Sequence, residues 1–287
     1  MSRTMSDLLE VLDLEPLEVD LFRGRSPATS LQRIFGGQVA AQALVAAGRT
    51  VEDARPVHSL HAYFLRAGDT AAPVVYQVER IRDGGSFSTR RVVAVQHGRP
   101  IFFMSASFQA PEQGMDHQDP MPAGVPGPDE LPDLEARIAT GHPVWSAVWR
   151  DWQAIDFRHV ADSPFDGVGD RSGAHSPVWI RAAEVLPDDP LLQVCVLAYA
   201  SDLTLLFSAL APHPVTPLDL QMASIDHAMW FHRPFRADEW LLYDQESPSA
   251  SGGRGLARGR VFTQDGRLVA SVVQEGLVRP RRPRDAG

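Results

Sequence analysis

The chain has 287 residues, 44% of them hydrophobic and 22% charged, enough for one large domain or two of about 100–150 residues with ordinary buried cores. A net charge of −9 argues against general nucleic-acid binding through a basic surface. All 27 basic side chains are arginine, which excludes a Schiff-base lysine, pyridoxal phosphate attachment and a Walker A loop, and the lone cysteine, Cys195, excludes an intramolecular disulfide and a cysteine-based zinc site.

The opening residues, MSRTMSDLLEVLDLEPLEVDLF, are acidic and amphipathic and lack an apolar core of signal-peptide length. Nowhere does the chain approach 18 consecutive apolar residues, so a soluble cytoplasmic protein without a membrane span is expected. FGGQVAAQALVAAG (35–48) has two glycines and then small apolar residues suited to a tightly packed helix. Strand-like segments follow at 57–65, 73–82, 88–96 and 101–109, with turn signals at Gly84-Gly85 and Gln96-His97-Gly98. Between Pro111 and Pro132 the run PEQGMDHQDPMPAGVPGPDELP holds six prolines and reads as an exposed linker. The chain then divides into an N-terminal unit (1–112), a Pro-rich linker (113–140) and a C-terminal unit (141–287). In the last, PDDPLLQVCVLAYASDLTLLFSAL predicts a helix with Asp189 as N-cap and Pro190 at its first position. Strands are predicted at 222–233, 239–246, 256–264 and 268–274, with Gln264-Asp265-Gly266 as a hairpin turn.

The two units resemble each other. SLHAYFLR matches SIDHAMWFHR with His61-Ala62 against His227-Ala228, an offset of 166, and QHGRPIFFMSAS matches QDGRLVASVVQ at an offset of 168. A nearly constant offset implies a duplicated domain. One helix followed by an antiparallel meander makes each copy an α+β unit, a sheet wrapped around a buried helix, and two such sheets can join edge to edge.

Several familiar patterns fail. GVGDRSG (167–173) is one residue too long for a dinucleotide fingerprint and is expected in a loop, and there is no G-x-S-x-G elbow. His58 and His61 have metal-pair spacing, but in a strand they point to opposite faces, so no metal site is expected. ASIDHAMWFHRPF (223–235) packs Ser, Asp and His together as if into a hydrolytic triad. In one continuous strand, however, Ser224, Asp226, Ala228 and Trp230 share one face and Ile225, His227, Met229 and Phe231 the other, which separates His227 from Ser224. Asp202 interrupts an otherwise apolar helix: it either caps a following turn or is a functional carboxylate, and its counterpart in the first helix is expected near Gln42. Gln274, near the end of the last strand, faces away from Val273 and Glu275, and an isolated terminal Gln is usually solvated.

FGGQVAAQAL, VHSLHAYFLR, GRPIFFMSASFQAPE, YASDL, ASIDHAMWFHRPF and TQDGRLVASVVQEG, in this order from about Leu8 to Arg279, resemble the acyl-CoA thioesterase II family. The resemblance implies a double hotdog fold and hydrolysis of acyl-CoA to fatty acid and CoA, with no metal or cofactor and no covalent acyl-enzyme. It assigns Asp202, Ser224 and Gln274 to a site that holds and activates water; the hydroxyl residue is often Thr in relatives. Gly36 and Gly37, at a helix start, are candidate oxyanion donors. Arg90-Arg91 and the tail RPRRPR are candidates for the phosphates of CoA, while 130–175, where the resemblance is weakest, leaves the acyl pocket undefined. Exposed strand edges and faces make a homo-oligomer, a dimer or tetramer, the expectation. Two rivals remain: a hotdog hydratase or dehydratase using His58 or His61 with Asp69, and a non-catalytic acyl-CoA-binding protein.

Overall fold

The computed structural model describes residues 4–281, less 28, 30, 53, 134–135, 137–138, 140–151 and 161–174. The segment 167–173 and the tail from 282 onward lie outside the described residues.

Helix α1 (Met5–Leu12) starts with a capping box between Thr4 and Asp7 and leads into a hairpin of β1 (Glu15–Glu18) and β2 (Leu21–Gly24). The first unit continues through α2 (Gly36–Gly48), β3 (Val57–Phe64), β4 (Val74–Asp83), β5 (Phe87–Gln96) and β6 (Arg99–Gln109). The second unit comprises β7 (Ile155–His159), β8 (Val178–Ala182), α3 (Pro190–Ser201), β9 (Leu220–Ser224), β10 (Asp226–Phe231), β11 (Leu241–Ser251), β12 (Arg254–Thr263) and β13 (Leu268–Pro280).

Both central helices are apolar on nearly every side, and a helix with that pattern must be enclosed. Asp189 caps α3 by accepting from the Leu191 and Leu192 N–H groups, with Pro190 at the first turn, as the sequence predicts. The helices run antiparallel in close contact: a Cβ at Gly37 would stand 2.5 Å from the Tyr199 carbonyl oxygen, and one at Gly48 would stand 2.5 Å from Leu191. Gly37 lets the two backbones approach, and Gly48 makes room for the Leu191 side chain.

The strands form one antiparallel sheet in the order β1-β2-β4-β5-β6-β3-β10-β13-β12-β11-β8-β7, with β9 also on β13. The two units therefore join edge to edge at β3 and β10, where His61 stands opposite Ala228 and Ala62 opposite His227. The registers confirm the duplication in detail. Hairpin β5–β6 shifts register between Ala94 and Val95, and β12–β13 does so at the corresponding step between Val261 and Phe262. β3 shifts between Val57 and Ser59, and the chain between β9 and β10 breaks at the corresponding place, Ile225.

These registers correct the equivalence of His61-Ala62 with His227-Ala228. His61 pairs with Ala228 on the exposed outer face, whereas His227 is fully buried on the helix side, so the two histidines occupy opposite faces. Structural equivalence across the strands slips by one residue and matches His61 with Ala228 and Leu60 with His227. Local identity of two letters outweighed the parity of the strand.

The proline-rich segment is also more than a spacer. Gln118 donates to the Gly266 carbonyl and accepts from the Leu268 N–H, Arg233 pairs with Asp116, and the Trp179 indole donates to the Pro126 carbonyl. Met121, Val125 and Leu131 pack against an outer-face cluster of Trp179, Trp240, Leu242 and Phe262. Residues 116–131 thus strap the outside of the second sheet half.

Candidate active site

Helix α3 ends at Ser201, and Asp202 is its C-cap residue. The Asp202 side chain lies where the end of α3 meets the start of α2: a Cβ on Gly36 would be 2.6 Å from its Oδ2, and the Gly37 N–H donates to the carboxylate. Ser224 Oγ donates to Asp202 Oδ1 at 3.1 Å, and Gln274 Nε2 donates to the same oxygen at 2.5 Å and to Ser224 Oγ at 2.9 Å. Three residues from a helix end, a strand end and a neighbouring strand thus close a triangle. Gln274 is fully buried rather than solvated, and its Oε1 has no hydrogen-bond partner among the described residues. A buried acceptor left open in this way is costly unless a water or ligand donor fills it.

Burial pushes the Asp202 carboxyl up to about 6, against the lowering effect of its bonds to Gln274, Ser224 and the Gly37 N–H and of the nearby Arg33 charge. The start of α2 supplies the positive end of a helix dipole beside it. The cap and the functional reading of Asp202 are therefore both true, since the turn that ends α3 is what aims the carboxylate.

The strand alternation predicted for 222–233 does not hold. Ser224 pairs with Gly276 and Ala228 with Val273, so the register on β13 shifts by one residue across Ile225. The shift turns Ser224 toward the helices, on the same side as His227. Separation of the two still results, by a different cause: His227 Nε2 bonds Ser201 Oγ at 2.9 Å, while Ser224 bonds Asp202. Burial holds His227 down to about 4, so it stays neutral. Asp226, placed by alternation beside Ser224, instead stands opposite Tyr63 and accepts from the Glu275 N–H at 2.6 Å, holding the break in place.

The first, N-terminal half of the duplication lacks this chemistry. Arg49 is the C-cap of α2, so it, rather than a position near Gln42, corresponds to Asp202. Across matching registers Val57 corresponds to Ser224 and Ala106 to Gln274. An arginine and two apolar residues replace the three polar ones, leaving one such trio among the described residues.

Two family models match the chain, one described as acyl-CoA thioesterase over residues 149–277 and one as acyl-CoA thioesterase N-terminal domain over 25–109. Human acyl-coenzyme A thioesterase 8 is 46% identical over 281 residues, covering 94% of this chain and 88% of the relative. This chain belongs to the acyl-CoA thioesterase family. Another member, acyl-CoA thioesterase 2 of Haemophilus influenzae, is 39% identical and covers 97% of this chain and 99% of its own. The crystal structure of the acyl-CoA thioesterase II TesB2 from Mycobacterium marinum superposes with a TM-score of 0.82 at 53% identity, covering 96% of this chain and 98% of that one. The double hotdog expected from the resemblance is thereby established.

The residues offered for a hydratase do not assemble in this family member. His58 bonds Ser107 at 2.9 Å, His61 packs edge-on to Trp230, and Asp69 pairs with His97 at 2.9 Å. Nor does Arg90 fit a phosphate site: it is fully buried, and its guanidinium donates to Thr50, Asp83 and the Arg82 and Thr89 carbonyls. Arg91 is exposed, pairs with Glu79 and lies over Phe103. The Ser201–His227 bond and the Gly37 N–H on Asp202 escaped the sequence reading; the slip of parity at Ile225 concealed the first.

Proposed function

We propose that this protein hydrolyses fatty acyl-CoA to the free acid and CoA with water activated by Asp202, Ser224 and Gln274. The observation that carries the reading is the closed trio with a buried acceptor, Gln274 Oε1, that no protein donor among the described residues takes. A water donating one proton to that oxygen and the other to Asp202 is fixed for attack on the thioester carbonyl. Asp202, with its carboxyl raised to about 6, accepts the proton as general base. The carbonyl electrons move to oxygen, where the start of α2 at Gly36 and Gly37 supplies N–H groups and a favourable dipole. As Asp202 takes up the proton its hold on the Gly37 N–H weakens, which frees that donor for the oxyanion. Collapse expels the CoA thiolate, which recovers the proton from Asp202.

The test is thiol release, followed with a thiol reagent during incubation with acyl-CoAs of several chain lengths. Release at a steady rate, with Asp202→Asn at least a hundredfold slower in kcat, is expected. Hydration without thiol release points to the hydratase, and binding alone points to the non-catalytic acyl-CoA-binding protein. Wild-type turnover in Asp202→Asn would rule out the proposed mechanism while leaving the family assignment standing.

A cytoplasmic homo-oligomer completes the reading. The buried thiol of Cys195 and the composition support the compartment, and the exposed ring of Tyr63, stacked 5.5 Å from the half-buried Phe103, supports self-association.

A further inference from the structure

CoA is a polyanion, so an acidic protein must meet it with a local excess of positive charge. Most arginines here are already committed to carboxylates, as in Arg254 with Glu275, Arg260 with Asp244 and Arg267 with Asp265. Among the described residues Arg33, Arg279 and Arg281 make no ion pair, and all three attach to one strand. Arg33 Nη2 donates to the Met222 carbonyl at 2.7 Å, Arg279 Nε to Gln221 Oε1 at 3.1 Å and Arg281 Nε to the Leu220 carbonyl at 3.1 Å. That strand is β9, and it ends at Ser224. Arg25, Arg66, Arg82 and Arg99 also make no ion pair but lie on other segments.

The neighbouring carboxylates do not cancel this charge. Glu275 is held by Arg254 at 3.0 Å, and the Asp219 carboxylate is taken by the Thr216 N–H and hydroxyl, although Arg281 is near enough to help lower it. Among the described residues strand β9 pairs only with β13, and its other edge faces the segment that carries Arg33. From Ser224 to Leu220 the strand covers about 13 Å.

We propose that Arg279 and Arg281 form the subsite for the phosphate groups of CoA, with Arg33 beside the arm between them and the reaction centre. The pantetheine arm then lies along the Arg33-facing edge of β9, with its thioester at Ser224 and Asp202, its middle past Arg33 at Met222, and its phosphates at the Leu220 end. Guanidinium groups suit this role because their forked donors match phosphate oxygens. The assignment rests on the acyl-CoA hydrolase reading. It replaces Arg90-Arg91 and narrows the tail candidate to its first two arginines.

The experiment compares two substrates with the same acyl chain, acyl-CoA and the acyl-pantetheine thioester that lacks the phosphates, in the full chain and in Arg279→Gln/Arg281→Gln. The wild type should prefer acyl-CoA in kcat/KM. The double variant should lose that preference about tenfold, through KM, and its rate on acyl-CoA should become less sensitive to salt. A preference that is absent in the wild type, or unchanged in the double variant, overturns the subsite. Wild-type protein that releases thiol from neither substrate counts instead against the hydrolase reading itself.

Discussion

The chemistry of Asp202 is set by two opposed influences on one side chain. Removal from water raises its pKa, and donors from Gln274, Ser224 and Gly37 pull it back, to about 6. Because the base must be ionised, kcat/KM should fall about tenfold per pH unit below about 6 and level off above it. A pH–rate profile checks this, and a flat profile between pH 5 and 7 would exclude Asp202 as the base. His227, bonded to Ser201 next to Asp202 in the chain, is shifted the other way, to about 4. For Asp202 the folded form keeps a proton that the unfolded chain releases above its ordinary 3.8, so its cost is absent below that value and complete above about 6. For His227 the unfolded chain binds a proton below its ordinary 6.5 that the folded form refuses, so its contribution is lost as pH falls toward 4. Between these limits the two trends offset each other. Asp202→Asn should therefore leave stability falling on acidification from pH 6.5 to 4.5, and His227→Gln should leave it rising, each by up to about 1.4 kcal/mol per pH unit. Denaturant titrations at several pH values measure both slopes.

At the scale of elements, the break at Ile225 decides which residues face the helices. The carboxylate of Asp226 holds it by accepting the Glu275 N–H, next to Gln274 on β13. Asp226→Ala should lower kcat about tenfold with little change in KM, and Asp226→Asn, which keeps an acceptor oxygen, should recover most of the loss. Steady-state kinetics of both variants test this; an unchanged kcat in the alanine variant removes Asp226 from the mechanism. Much of this level was legible in the sequence. The two central helices, the meanders and the trio itself were marked by apolar runs, turn residues and long motif strings. What stayed hidden depended on one-residue shifts, because composition reports which residues are in a strand and not where its pairing slips. Ser224 was therefore sorted to the wrong face relative to Asp226 and His227. Arg90 looked like a surface cation because nothing local reveals that Thr50 and Asp83 converge on it. The hairpin β1–β2 lay in a segment whose acidic, amphipathic pattern gave no strand signal.

For the whole molecule, the β3–β10 junction and the α2–α3 contact make the two units depend on each other. The second unit carries Asp202, Ser224 and Gln274, yet Asp202 leans on Gly36 and Gly37 of the first. Residues 113–287 expressed alone should show no thiol release, and co-expression with 1–112 should restore it; activity of the isolated piece would contradict this dependence. The loss of the second trio to Arg49, Val57 and Ala106 follows the same logic, since one intact site needs both helices but only one set of reacting groups.

The strap formed by residues 116–131 bears on growth. A chain made of two similar halves presents two similar outer faces, and copies joining face to face through both could extend into a fibre without end. By laying Met121, Val125 and Leu131 over Trp179, Trp240, Leu242 and Phe262, the chain blunts one of those faces. The proline-rich connector thus takes those four side chains out of reach of any other copy of the chain.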